Sequence, residues 1–274
     1  MKIRRSHRLV DLTGYLLNHP HTVTPLSYFV EEYNVAKSSL SEDIAIISEV
    51  FKETNRGEVQ TIAGATGGIR YIPRFRKEEA QKYVDELCKR MMKEERMLPG
   101  GYFYLTDLLG EPQQLSTMGS IFASVFADSG ATAVMTIATK GVPLAQAISE
   151  RLNVPFVIVR RDSKVTEGPT VSINYETRAN TRVEKMELTR NSLKSGDKVL
   201  IIDDFMNGGG TMNGMLSMAK QFDAEVVGVA VLGEADQEKD PVNFPYKSMM
   251  KIKKSADGHK LEAIVPGNLL DEMK

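Results

Sequence analysis

Apolar residues return every three or four positions through the first fifty residues, and then at every second position through a short stretch. Beyond residue 130 they gather into short unbroken runs. Each spacing has its own consequence, because helix side chains share a face at i, i+3 and i+4 whereas strand side chains alternate. Leu9, Leu12 and Leu16, widened by Val10 and Leu17, predict a first helix, which "NHPHTVT" ends. "PLSYFVEEYN" predicts a short second helix. Leu40, Ile44, Ile47 and Phe51 make one face of a third, starting near Lys37, with Ser38 or Ser39 as cap and Ser39 and Glu42 at capping-box spacing. In "EVQTIAGATGGIRYI", two β-prone arms around a glycine-rich turn predict a hairpin.

Three helices followed by a hairpin is the order of a winged helix-turn-helix domain. The pattern changes near "RYIPRFRKEEA", which sets a boundary at about residue 74 and two domains, 1–74 and 75–274. The second opens with a charged helix from 76 to about 97, its inner face Val84, Leu87, Cys88 and Met91, and continues with a helix over "QQLSTMGSIFASVFADSG". Strands are predicted at 133–138, 155–160, 199–203 and 226–232, with helices over "PLAQAISERL" and "TMNGMLSMAKQF" between them. Continuous apolar strands alternating with helices predict an α/β fold with a parallel sheet covered on both faces. Ligands of such sheets bind beyond the carboxyl ends of the strands.

Composition narrows the partners. A formal net charge of -1 over 274 residues excludes a whole-chain polyanion binder. Residues 1–73 carry eight lysines and arginines against eight acids, yet four of the basic residues fall in the first eight positions. Cys88 is the single cysteine, so no intramolecular disulfide forms, which fits a reducing cytoplasm. The basic N-terminus lacks the apolar core of a signal peptide, and no run approaches membrane-spanning length. The expectation is a soluble cytoplasmic protein with no membrane partner.

The chemistry concentrates in "VLIIDDFMNGGGTMNG", residues 199–214. Glycines let the backbone approach a ligand, and consecutive N–H groups at a helix start form an anion hole to which Thr211 adds a hydroxyl. Carboxylates beside such a hole repel phosphate alone. Asp203 and Asp204 make sense if the ligand also brings hydroxyls or a magnesium ion. A sugar phosphate meets both demands.

The same stretch resembles the phosphoribosyl pyrophosphate (PRPP) motif of type I phosphoribosyltransferases. The resemblance implies Asp203 and Asp204 on the ribose hydroxyls, with Phe205, Met206, Asn207, Gly208, Gly209, Gly210 and Thr211 forming the loop around the 5′-phosphate. "TIATKGVPLA" resembles the pyrophosphate loop, with Lys140 and Gly141 at the strand end. "VIVRRDSKVTEGPTVSINY" resembles the segment leading into the mobile flap, where Arg160 and Lys164 would meet pyrophosphate oxygens. Tyr102 is a candidate to stack on a purine ring, with Phe205 as a second. Active members keep a hydroxyl residue three positions before the closing threonine, and here Gly208 stands there. No residue reads as a general acid or base, and His259 reads as a surface residue of a charged tail.

In the first domain, the second helix of the helix-turn-helix pair would enter the major groove and present Lys37, Ser38, Ser39 and Ser41. Lys2, Arg4, Arg5 and Arg8, with Arg56 and Arg70 near the wing, would meet phosphates. The combination of both domains resembles the purine operon repressor family of Gram-positive bacteria across essentially the whole chain. That resemblance implies a homodimeric repressor acting on double-stranded operator DNA upstream of purine biosynthesis and transport genes. PRPP would be the inducer, if need be with magnesium, and guanosine tetraphosphate or pentaphosphate a competitor for the same pocket. No cofactor and no transferase activity are expected. The alternative is an active purine phosphoribosyltransferase carrying an accessory winged-helix module.

Overall fold

The computed structural model describes residues 3–64, 67–92, 96–98, 102–162, 168–177, 182–236, 242–255 and 261–273. The chain divides into two compact units, Met1–Arg76 with Arg151–Asn153, and Lys77–Glu150 with Val154–Lys274.

The first unit runs α1 (Arg5–Asn18), α2 (Leu26–Tyr33), α3 (Lys37–Glu53), β1 (Glu58–Ile62) and β2 (Gly68–Ile72). β1 and β2 pair antiparallel from Glu58 opposite Ile72 to Ile62 opposite Gly68, and Thr24 bridges to Ile69. A side chain at Gly68 would collide with the Thr24 carbonyl, so glycine lets these strands close. Leu12, Leu16, Leu40, Ile44, Ile47 and Phe51, which the helical spacing predicts, form the core together with Phe29 of α2. α2 ends at Asn34 in the left-handed conformation, φ 49°, which asparagine tolerates better than most residues, and α3 begins three residues later.

Two sequence expectations change here. Val10 is 75% exposed, and the polar Arg8 is buried in α1 beside Leu12 and Leu16, because it pairs with the buried Asp43 of α3. The N-cap of α3 is Ala36, with no side-chain cap. The tight turn fixes the helix start at Lys37, so Ser38 and Ser39 fall inside the first turn. Ser41 donates instead to the Lys37 carbonyl at 3.0 Å.

The second unit contains α4 (Lys77–Met91), β3 (Met97–Leu98), β4 (Tyr102–Phe103), α5 (Thr106–Gly110), α6 (Pro112–Val125), β5 (Ala133–Ile137), α7 (Gly141–Leu152) and β6 (Phe156–Val159). It continues with β7 (Thr170–Thr177), β8 (Arg182–Thr189), β9 (Lys198–Met206), α8 (Gly210–Gln221), β10 (Glu225–Ala235), β11 (Lys247–Lys254) and β12 (Leu261–Pro266). Its main sheet has the order β12-β11-β10-β9-β5-β6, parallel throughout except for the edge strand β12. Met135, Ile137, Val199, Ile201, Val229 and Val231 pack with Met212, Met215 and Met218 of α8. On the alternate positions, Gly228 admits Phe126 from the end of α6, and Gly119 of α6 lies against Ala147 of α7.

The sheet is therefore mixed at one edge. β11 and β12 escape the sequence reading because lysines 247, 251, 253 and 254 interrupt the apolar positions of β11. Lysine tolerates that place because its stem covers apolar surface while its charge stays in water. His259 lies outside the described residues. β7 and β8 form a separate antiparallel pair, Thr170 opposite Thr189 to Thr177 opposite Arg182, with Tyr175, Met186 and Leu188 buried along it.

Phe29→Ala, which empties a site with no exposure, is expected to destabilise the first unit by about 3–5 kcal/mol. Val10→Ala is expected to change stability by less than about 0.5 kcal/mol. Urea unfolding followed by circular dichroism separates the two.

Candidate functional site

The strand order reverses between β5 and β9. The chain moves from β5 to β6 on one side and from β9 through β10 to β11 on the other. A crevice opens beyond the carboxyl ends at such a switch point. The pairing shows how it opens here. β9 stays paired with β10 as far as Met206 opposite Glu234, but with β5 only as far as Ile201 opposite Met135. Residues 202–206 thus keep one neighbouring strand and lose the other. The sequence reading ended this strand at 203, because two aspartates disfavour a strand and the β10 pairing that overrides them is not local.

Asp203 is only 6% exposed and Asp204 is half-buried. The Asp204 N–H donates to Asp203 Oδ1 at 2.9 Å. Gly141, the first residue of α7, lies over this acid. A Cβ there would stand 2.9 Å from Asp203 Oδ1 and collide with the Thr136 hydroxyl. Burial, and then the charge of Asp204, holds the Asp203 carboxyl well above the usual carboxylate range. Burial also raises Asp204, opposed by its hydrogen bond with Asp203 and by the Lys140 ammonium. Acids buried in this state cost stability, and groups perturbed in this way cluster at functional sites.

Beyond Met206 the chain turns through exposed Asn207, Gly208 at φ 88° and Gly209 at φ 70°, and α8 begins at Gly210. Gly209 is the N-cap and no side chain caps the helix, so the first-turn N–H groups of α8 are available to an anion. The left-handed backbone at 208 explains the glycine there, since a serine or threonine would be strained. Thr211 is half-buried in the first turn.

Lys140, Gly141, Asp203, Asp204 and the 207–211 loop therefore gather at one crevice. Phe205 lies against Gly233, its Cδ2 3.2 Å from the position a Cβ would take. Met206 is 4% exposed and belongs to the core under α8, so its side chain packs rather than facing a ligand. Arg160 is half-buried and exchanges backbone hydrogen bonds with Glu187 at 2.9 and 2.7 Å. Its neighbour Arg161, which sequence reasoning missed, supplies positive charge to Asp203, with Nε 3.2 Å from Glu184 of β8. Tyr175 of β7 donates to the same Glu184 at 2.6 Å. The doubled arginine of "VIVRRD" was the only signal for Arg161. The hairpin carrying these partners packs on α8, where Gly214 meets Met186 and Tyr175. Lys164 and the side chain of Tyr102 lie outside the described residues. Among the described residues, no group of three or more His, Cys, Asp or Glu could hold a metal, and no helix is long and apolar enough to cross a membrane.

In the first unit, Arg4, Lys37, Ser38, Ser41 and Arg56 are exposed, and Ser39 is half-buried. Arg70 is half-buried and donates to Gln60 at 2.8 Å. Arg8 does not reach the surface expected of it, because its guanidinium is spent on buried Asp43. Arg5 remains half-exposed, with Nε 2.9 Å from the other oxygen of that carboxylate. Lys2 lies outside the described residues.

Fold and crevice together define a winged helix-turn-helix unit joined to a phosphoribosyltransferase-type α/β unit. Residues 4–73 match the family model described as bacterial purine repressor, N-terminal, and residues 107–264 match the phosphoribosyl transferase domain. The chain is 50% identical to the purine biosynthesis transcriptional repressor PurR of Bacillus subtilis (strain 168), over 98% of this chain and 95% of that one. It is 43% identical to the purine biosynthesis transcriptional activator PurR of Lactococcus lactis subsp. lactis (strain IL1403), over 98% of this chain and 100% of that one. A crystal structure of adenine phosphoribosyltransferase from Thermoanaerobacter pseudethanolicus shares the fold, with TM-score 0.54 and 22% identity, covering 61% of this chain and 99% of that chain. The chain belongs to the bacterial purine repressor family.

The raised Asp203 carboxyl gives a pH prediction. A carboxyl whose folded-state pKa lies above its unfolded value near 4 adds most to stability below that value, and the contribution is lost as pH rises through the folded pKa. Asp203→Asn is therefore expected to melt higher than the wild type at pH 7, with the gap closing towards pH 4. Thermal unfolding at several pH values checks the sign.

Proposed function

We propose that the chain is a transcriptional repressor that binds operator DNA upstream of purine biosynthesis and transport genes and releases it when PRPP occupies the crevice at β9. The observation that carries this reading is the pair of adjacent aspartates, one buried and one half-buried, beside an uncapped, glycine-lined helix start, on a chain whose other unit is a helix-turn-helix. The acids suit ribose hydroxyls, and the loop suits a phosphate. Magnesium arriving with PRPP needs only one or two carboxylates from the protein, which Asp203 and Asp204 fit. Lys140 and Arg161 supply positive charge for a pyrophosphate. Guanosine tetraphosphate or pentaphosphate presents the same chemistry and would compete there. The DNA face would use Arg4, Arg5, Arg56 and Arg70 on phosphates and Lys37, Ser38, Ser39 and Ser41 in the groove.

For PRPP to act as inducer, it must bind the DNA-free form more tightly than the DNA-bound form. The chain acts as a homodimer in this reading, as most DNA readers of this class pair two half-sites. Gly208 supports a pocket without transferase activity, because its conformation disfavours the hydroxyl residue that active enzymes place there. Activation in place of repression is favoured by one observation, the activator name of the Lactococcus relative. Run-off transcription with and without PRPP distinguishes the two signs of control.

PRPP is expected to weaken binding in a fluorescence anisotropy titration on purine-gene upstream DNA. Asp203→Ala and Asp204→Ala are expected to bind that DNA as the wild type does and to ignore PRPP. Folded mutants that lose DNA binding would contradict the site assignment. Nucleotide formation at an enzyme-like rate from PRPP, magnesium and a purine base would contradict the silent pocket.

A further inference from the structure

Asp43 is an acid with no exposed surface, on the middle of α3. Both its oxygens are engaged by α1. Oδ2 accepts from Arg8 Nε, and that arginine is itself buried. Oδ1 accepts from Arg5 Nε at 2.9 Å, and the Arg5 side chain keeps 52% of its surface in solvent. The two arginines thus divide one carboxylate. Arg8 makes the acid tolerable in the interior, since a buried carboxylate without a counter-charge is strongly unfavourable. Arg5 meets Asp43 through its inner nitrogen, while the outer edge of its planar fork is engaged only loosely, by Nη2 3.4 Å from the exposed Glu42. That outer edge is the one with which arginine grips phosphate oxygens in pairs.

The position of the fork is also set. Arg5 meets Asp43 at 2.9 Å and Glu42 at 3.4 Å, and these residues lie one helical turn beyond Ser39 and Ser38. It therefore stands beside the exposed N-terminal turn of α3. Resting on the DNA-binding function proposed above, we propose that Asp43 is a positioning residue that aims Arg5 at a DNA phosphate flanking the α3 contact, with Glu42 as the group that phosphate displaces. Arg8 is the structural half of the device and touches no DNA.

The test uses the full-length protein and measures log K against log salt on purine-gene upstream DNA. Arg5→Ala is expected to bind more weakly and to lower the slope by about 0.9, the loss of one phosphate contact. Arg5→Lys keeps the charge but has no inner nitrogen to leave on Asp43 while an outer edge stays free. Its ammonium is drawn to Asp43 and Glu42, so it is expected to behave like Arg5→Ala. Glu42→Gln removes the competitor and is expected to bind several-fold more tightly. All three changes are at exposed positions, so circular dichroism should show intact folds. A wild-type slope in Arg5→Ala, or wild-type affinity and slope in Arg5→Lys, would overturn the proposal. A wild-type protein that fails to bind this DNA at all would instead overturn the proposed function.

Discussion

Everything at the crevice follows from one mismatch in strand length. β9 runs on beside β10 after β5 has turned away, and its last residues keep a neighbour on one side only. That geometry puts Asp203 where the sheet still shields it from water but no strand remains to cover it. The covering comes from Gly141, and only glycine fits over the acid. The turn that follows needs left-handed backbone at Gly208 and Gly209 before α8 can start. A carboxylate kept from water without full compensation is costly. Here Lys140 and Arg161 offset it only in part, and the burial of both acids still dominates.

The two units each contain a buried aspartate, and the contrast between them is informative. Asp43 has a guanidinium on each oxygen and ties α1 to α3. Asp203 has the N–H and the side chain of its neighbour, itself an acid, and a more distant arginine. The first is satisfied within the chain and belongs to the architecture. The second faces a like charge in a buried place, a condition that suits the ligand-binding role proposed for it. Family membership is consistent with both roles, while relatives named repressor and activator share this chain at 50% and 43% identity. Control of opposite sign is thus compatible with one scaffold.

Much of this was legible in the chain because it is locally encoded. The apolar faces of α1, α3 and α4 follow helical periodicity, and the "DDFMNGGGT" run carries its own chemistry. What was not legible depends on contacts distant in sequence. Arg8 looks like a surface base until Asp43, thirty-five residues away, is seen to meet it. The true end of β9 depends on β10, and β11 is hidden by the lysines that interrupt its apolar positions. The hairpin β7–β8 was not predicted, although Val171, Ile173 and Tyr175 alternate as strand residues do, because the segment was read as leading into a flap, so Arg161, Glu184 and Tyr175 came together only in three dimensions. Met206 illustrates the opposite error. It sits within the motif, yet its side chain belongs to the core.

The central claim is that a phosphoribosyl ligand is held by the end of β9 and the start of α8. Amide hydrogen exchange with and without PRPP and magnesium addresses it most directly. The expected result is new protection confined to residues 203–213 and the turn at 138–141, absent in Asp203→Ala. Protection that falls elsewhere, or that persists in that mutant, would contradict it.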